Sequence, residues 1–282
     1  MSSAASTPAF HHSHSSVAEL RVGQLERVAA PSFEEFERRY IRRLRPVILT
    51  GLTESWPPGD WSVARVGELY GSATVVAAEL VGGTLRDDAR GGAIFRRIPL
   101  GEFVASMGHG ANASHYVMAP VGNLPPAFHQ AYRVPRYCEG ATHLRAKFWL
   151  GRAGTVTPPH WDVPHNLNVH LSGRKRWMLF APGQRGMYPR GMFSGMPNFS
   201  AIDPERPDFE RYPLLRGVTA LGGIIEAGET LFIPRGWWHH TRTLEDAVAI
   251  NFWWGGPAVQ LASLASTLFK RVTGIRQDEW AC

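Results

Sequence analysis

The sequence predicts a mainly β protein, a sandwich or barrel with helices attached at its N-terminal and C-terminal ends. Three observations carry that reading. From about residue 146, short apolar or aromatic runs recur every 8–15 residues: KFWLG, LNVHLSG, RWMLFAP, GIIEAG, TLFIP and VAINFWW. Gly or Pro punctuates nearly all of them, the pattern of short strands joined by turns and not of βαβ units. The segments on either side carry apolar residues at helical spacing instead.

The elements follow in chain order. Residues 1–18, rich in Ser, Ala and His without a periodic apolar pattern, are expected to be a disordered tail. His11, His12 and His14 lie in it, and a floppy tail makes a poor preorganised metal site. Residues 19–282 are read as one domain, with the β-core at about 146–256. Ser32 and Glu35 form a capping box that opens SFEEFERRYIRRL, where Phe33, Phe36, Tyr40 and Leu44 recur at helical spacing. Pro46 stops that helix, and VILTGL (47–52) reads as a short buried strand. A helix at 62–70, a strand at 75–81, a loop at 82–92, a helix at 98–107 and the strand SHYVMAP (114–120) follow. After Pro257, VQLASLASTLFKRV has helical spacing and is expected to pack outside the core.

Composition narrows the function classes. With 44% hydrophobic and 19% charged residues over 282 positions, the chain is neither disordered nor fibrous. At about 100–200 residues per domain the length suits one large domain or two small ones. No window has the 18 or more apolar residues of a membrane span, and the N-terminus has no secretory signature. Two cysteines, Cys138 and Cys282, cannot form a disulfide framework, so a cytoplasmic protein is expected. The net charge of +6 suggests nucleic acid, but the basic residues are scattered apart from short clusters such as Arg38, Arg39, Arg42, Arg43 and Arg45.

Chemistry gathers in two stretches. In His160-Trp161-Asp162, residues two apart on a strand face the same side and can grip one metal ion. In GETLFIPRGWWHH, ending at His239-His240, a distant strand can supply a third ligand. Two His and one carboxylate leave adjacent coordination positions open, the arrangement of non-haem Fe(II) oxygenases. Taken alone, His239 reads equally well as a hydrogen-bonded core histidine. An iron site of that kind needs a cation for the far carboxylate of a dicarboxylate co-substrate. Lys175, one of three lysines among 30 basic residues, lies thirteen positions beyond Asp162 and suits that task as a compact point charge. A solvated surface lysine between Arg174 and Arg176 is the other reading.

The combination HWDVPHNLNVHLSGRKRWMLFAP, GETLFIPRGWWHHT and VAINFWW resembles the JmjC/cupin-8 group of Fe(II)- and 2-oxoglutarate-dependent oxygenases. Within it the resemblance is to asparaginyl hydroxylases of the type that inhibits hypoxia-inducible factor, and to related small JmjC hydroxylases. RPVILTGL resembles the strand with which such domains open, so the likeness covers roughly residues 30–257. It implies a double-stranded β-helix (jelly-roll, cupin) core, with iron ligands His160, Asp162 and His239. It further implies that Lys175, assisted by Thr157 and Tyr116, binds the far carboxylate of 2-oxoglutarate, and that Asn166, Asn251 and Trp253 line the same pocket. The plain alternatives are that Asn166 closes a turn and that Trp253 fills core.

Where the asparaginyl hydroxylase grips its substrate with a polar pair, this chain has Asn198-Phe199. Asparagine is therefore not the expected target. The implied activity is a dioxygenase using Fe(II), 2-oxoglutarate and O2 to hydroxylate a side chain of a protein or peptide. The alternatives are a hydroxylase of a modified tRNA base or of a peptide-like natural product, and a non-catalytic metal-binding cupin. Lysine demethylation ranks lower, because no chromatin-reading module or zinc-site cysteines accompany the motifs. The C-terminal segment is short here, which weakens the carry-over of the family's helical dimer interface and leaves a homodimer as one option.

Overall fold

In the computed structural model, the run Ala247–Gly255 is buried at all nine positions because both of its faces are covered. Val248, Ile250, Phe252 and Trp254 turn to one side, into a cluster with Phe148, Leu150, Leu167 and Val169. Ala249 and Trp253 turn to the other, against Tyr116, Met118 and Trp149. Alternation is what a strand does with side chains, so this strand separates two cores. The residues described are 20–85, 94–107, 115–191, 194 and 196–272; the expected tail, part of the 82–92 loop, Ser114 and Cys282 lie outside them.

The strands are β1 (Arg21–Gln24), β2 (Arg27–Ala29), β3 (Val47–Thr50), β4 (Thr74–Val81), β5 (Thr84–Leu85), β6 (Phe95–Pro99), β7 (His115–Pro120) and β8 (His143–Gly151). The second half adds β9 (Val156–His160), β10 (His165–Ser172), β11 (Arg174–Phe180), β12 (Thr219–Glu226), β13 (Thr230–Ile233), β14 (Trp238–Thr243) and β15 (Ala247–Gly255). Eight of these make the core. One sheet runs β8-β15-β10-β13 and the facing sheet runs β9-β14-β11-β12, all antiparallel. Apart from the β11–β12 hairpin, successive strands thus alternate between the two sheets, which is the double-stranded β-helix that the resemblance implied. The core begins at His143 and ends at Gly255, against the expected 146–256.

The outer face of the larger sheet carries the helices: α1 (Phe33–Phe36), α2 (Val63–Tyr70), α3 (Leu100–Ser106) and α4 (Pro126–Gln130), with α5 (Pro257–Val272) following β15. Phe36, Tyr40, Val66, Phe103 and Phe128 bury against Phe148, Phe232 and Phe252 there. Ser32 caps α1 by accepting a hydrogen bond from the Glu35 N–H at 3.2 Å, as the capping box predicts. The helix widens into π-type turns over Glu37–Ile41 and closes at Leu44, whose φ of 49° is left-handed. No helix among the described residues is long and apolar enough to cross a membrane.

Several expectations need correction. The segment Thr157-Pro158-Pro159, despite the turn propensity of its two prolines, is the interior of strand β9. Residues 98–99, assigned to a helix, end β6, where Ile98 is buried and pairs with Val75. The stretch after Leu124, given no element above, contains α4, started by Pro126 at its first position, where the missing N–H is harmless. Strands β1 and β2 are short and largely exposed, so they left no apolar period to read.

Phe252 is fully buried, 5.8 Å from the Tyr132 ring and 6.4 Å from Trp56. Phe252→Ala should lower the unfolding free energy by about 3–5 kcal/mol in denaturant titrations while leaving the far-ultraviolet dichroism strand-rich.

Candidate metal centre and its pocket

Residues three apart on a regular strand face opposite sides. Strand β9 is not regular. His160 stands opposite His239 and Thr157 opposite Thr241, so three steps of β9 match two of β14. The additional residue forms a bulge at Pro158-Pro159, where the absent N–H groups could not have joined the ladder. The bulge turns both Thr157 and His160 inward.

The atoms that His160, Asp162 and His239 can offer a metal ion all lie within 4.8 Å of one another, and all three residues are buried. His239 Nε2 is 3.6 Å from Asp162 Oδ2, and the two imidazoles have centroids 4.1 Å apart. His160 Nδ1 donates to the Pro158 carbonyl at 2.9 Å, and His239 Nδ1 donates to the Trp237 carbonyl at 3.0 Å. Since a carbonyl only accepts, both protons sit on Nδ1 and both Nε2 lone pairs are left for a cation. Asp162 Oδ2 accepts from the Trp253 indole at 2.8 Å. Burial, then the neighbouring His239, push the His160 imidazole down to about 3. Burial pushes the Asp162 carboxyl up, yet the two histidines, the indole and Lys147 together hold it below the usual range. A neutral imidazole facing an ionised carboxylate is the state that a divalent metal ion requires.

The turn between His160 and Asp162 is held from outside by the Asn198-Phe199 pair. Asn198 Nδ2 donates to the Trp161 carbonyl at 2.9 Å, and its own carbonyl accepts from the Trp161 N–H at 3.2 Å. The Phe199 ring stacks on His160 at 4.8 Å, 12° from parallel. The segment carrying them is tied down by Glu205, which accepts from Arg176 and Arg242 and faces His240 at 3.4 Å. Burial works against ionisation of that carboxyl, but the nearby His240 and the hydrogen bonds from Arg242 and Arg176 win and hold it well below the usual carboxylate range.

Further inside lies Lys175, 1% exposed, whose Nζ donates to the Tyr116 hydroxyl at 3.1 Å. It has no carboxylate partner among the described residues, and burial pushes its amine down to about 7. A chain of amides crosses the facing sheet: Asn168 Nδ2 donates to Asn251 Oδ1, and Asn251 Nδ2 donates to Asn166 Oδ1 at 2.7 Å. Buried polar atoms are normally paired, yet Asn168 Oδ1, His170 Nδ1 and Thr241 Oγ1 are not. A buried amine without an anion, beside unpaired polar atoms, fits a small acidic molecule. The His, Asp and His donor set fits iron(II).

All nine site residues expected from the sequence are buried: Tyr116, Thr157, His160, Asp162, Asn166, Lys175, His239, Asn251 and Trp253. Trp253 reaches the carboxylate of Asp162 as well as walling the interior. Asn168 was missed, although Asn166 and Asn168 stand two apart in NLN and so share a strand face. Lys147, 5% exposed with its Nζ 5.8 Å above the Trp253 ring, was missed because it reads as the start of an apolar strand. Glu205 left no sequence signal beyond its acidic loop.

Removing the indole donor should loosen the Asp162 carboxylate without emptying the interior. Trp253→Phe is therefore expected to weaken divalent-metal affinity by about 10- to 100-fold, measured by titration against a competing chelator.

Comparison with known proteins agrees with this geometry. The model of the cupin-like domain family (Cupin_8) matches residues 33–258. The chain is 29% identical to lysine-specific demethylase 8 of Xenopus tropicalis over 242 residues, which are 82% of this chain and 52% of that protein. It is 29% identical over 271 residues to the bifunctional peptidase and (3S)-lysyl hydroxylase JMJD7 of Homo sapiens, covering 83% of this chain and 84% of the relative. It is 26% identical to tRNA wybutosine-synthesizing protein 5 of Gallus gallus, covering 78% and 74%. The chain spans little more than half the length of several of these relatives, 52% of the Xenopus protein and 58% of Jumonji C domain-containing protein 5 of Drosophila melanogaster. With a family match across most of its length and a His-Asp-His cluster inside a double-stranded β-helix, the chain belongs to the cupin-like domain family, in its JmjC group.

Proposed function

We propose that the protein is an iron(II)- and 2-oxoglutarate-dependent dioxygenase that hydroxylates an amino-acid side chain of a protein or peptide. The observation that carries the reading is the pairing, in one buried interior, of the His160, Asp162 and His239 cluster with the uncompensated amine of Lys175. When bound, iron(II) and 2-oxoglutarate supply the activation of O2 for oxidising a substrate C–H bond.

Each residue has a definite task in this reading. His160, Asp162 and His239 hold the iron on one side and leave adjacent positions free. Trp253 and the two backbone carbonyls fix the orientation of those ligands. Lys175, with the Tyr116 hydroxyl and Thr157, receives the far carboxylate of 2-oxoglutarate as a charge-assisted pair. The asparagine chain supplies further donors, and Met118, Trp149 and Met196 form an apolar wall that excludes water. Two further assignments rest on the sequence: residues 19–282 acting as one domain, and a cytoplasmic location suggested by cysteine usage. Cys138 is buried and free.

The side-chain hydroxylase reading draws on the human relative named a (3S)-lysyl hydroxylase, most of whose length the chain matches. A second reading, hydroxylation of a modified tRNA base, draws on the relative named for wybutosine synthesis and on the net charge of +6.

Iron-loaded protein should convert 2-oxoglutarate to succinate slowly alone and faster with the correct substrate pool, whether peptide or tRNA. His160→Ala should lose that turnover; no succinate, with no 2-oxoglutarate bound by the iron form, would establish a non-catalytic cupin instead.

Lys175 also dictates a pH response. Its lowered pKa means that the folded, ligand-free chain binds fewer protons than the unfolded chain between about pH 7 and the ordinary value of 10.5. The cost of burying the ammonium is fully present below that window, and stability rises with pH through it. Denaturant titrations of the free protein at pH 7 and pH 9.5 should show this rise in the wild type, and Lys175→Met should lack it.

A further inference from the structure

A cavity of about 400 Å³ opens on the outer side of the turn that carries Asp162, lined by Ile41, Arg42, His165, Arg235, Gly256 and Val259 among others. Among the described residues no carboxylate lines it. Its chemistry is unlike that of the interior pocket, because both charged side chains on its lining, Arg42 and Arg235, are cations.

His165 is the informative member. It is only 9% exposed, with its ring held between Phe232 at 5.7 Å and Trp254 at 5.4 Å. Its Nδ1 accepts the Arg235 backbone N–H at 3.2 Å, so the ring proton is on Nε2. That Nε2–H has no partner among the described residues, and burial together with Arg235 pushes the imidazole down to about 4, so the ring is neutral at physiological pH. The ring edge thus presents an unpaired donor to the open cavity, where an acceptor from solvent or from a ligand can meet it.

Three other donors share the cavity. Arg235 is exposed and its guanidinium has no ion pair among the described residues. Arg42 has one long contact, 3.2 Å to Glu37, at 71% side-chain exposure. The amino terminus of α5 starts at Pro257 after two glycines, with no acidic residue in its first turn. The N–H groups of Val259 and Gln260 turn back to the Gly256 carbonyl, so Ala258 keeps a free N–H at the positive end of a 16-residue helix.

We propose that this cavity is a binding site for a phosphate group, held by Arg42, Arg235, the His165 Nε2–H and the α5 amino terminus. A phosphate, with several acceptor oxygens and charge near −2 as a monoester, suits the donors that four segments of the chain bring to this cavity. The volume leaves room for the group that carries the phosphate. The cavity is also joined to the metal centre: Arg235 N–H holds His165, and the next residue, Gly236, donates its N–H to the Asp162 carbonyl at 2.9 Å. A phosphorylated ligand seated here therefore lies against the back of the metal-ligand turn.

The test is titration of the metal-free full chain with inorganic pyrophosphate, a nucleoside diphosphate and a short single-stranded RNA, followed by calorimetry. Saturable binding by at least one is expected, weakened about tenfold or more in Arg42→Ala/Arg235→Ala and also weakened in His165→Phe, which keeps the aromatic stack. Melting temperature and cobalt(II) binding of the double variant should match the wild type, and Lys175→Met should still bind phosphate. Saturation by the small phosphates identifies a free phosphorylated compound as the source. Saturation by RNA alone identifies a phosphodiester backbone. The proposal fails if none of the three saturates, or if the arginine double variant binds as the wild type does. It fails equally if Lys175→Met is what abolishes binding.

Discussion

The irregularity at Pro158-Pro159 governs the whole site, because it reconciles two demands that a regular strand cannot meet together. One strand must present an iron-ligand candidate, His160, and a pocket hydroxyl, Thr157, to the same interior, yet they stand three residues apart. The bulge inserts the step that brings them to one side, opposite His239 and Thr241. The Pro158 carbonyl then orients the His160 ring. The segment that breaks the ladder is thus the segment that fixes the tautomer of the neighbouring histidine.

Support for that turn arrives from two directions. Inside, Trp253 on β15 crosses the sandwich to reach Asp162, so the carboxylate is anchored to the opposite sheet. Outside, Asn198 and Phe199 close over Trp161 and His160, and Glu205 fastens their loop to the outer faces of β11 and β14. Neighbouring β14 residues therefore serve different sides of one sheet, His239 the interior and His240 the loop. A single exposed ion pair contributes little, but three basic groups around one partly buried carboxylate form a network of the kind that does.

Much of this was legible before the fold was known. Strand spacing marked the chain as mainly β, and the long motifs contain the His160, Asp162 and His239 that the fold brings together. What escaped notice has identifiable causes. Pro158 and Pro159 carry turn propensity, and only the facing strand makes them a bulge. Asn198-Phe199 stood out as a departure in a substrate-gripping position, whereas its contacts to the metal turn depend on a loop that returns across nearly forty residues. Lys147 looks like the polar start of an apolar strand until β15 pairs with it and sets Trp253 beneath its amine. Local pattern fixes which face a residue presents; it carries no information about what the opposite sheet brings to that face.

The tension at Lys175 reaches beyond pocket geometry. An amine held near neutrality by burial becomes an ammonium once a carboxylate sits beside it, so filling the pocket draws a proton from the surrounding solution. Association with an acidic co-substrate is then a proton-uptake reaction. Its heat will depend on the ionisation enthalpy of the buffer, and its strength will fade as the medium becomes alkaline. Acid–base conditions of the surroundings are in this way built into the supply of the co-substrate, through one side chain that never touches the metal ligands.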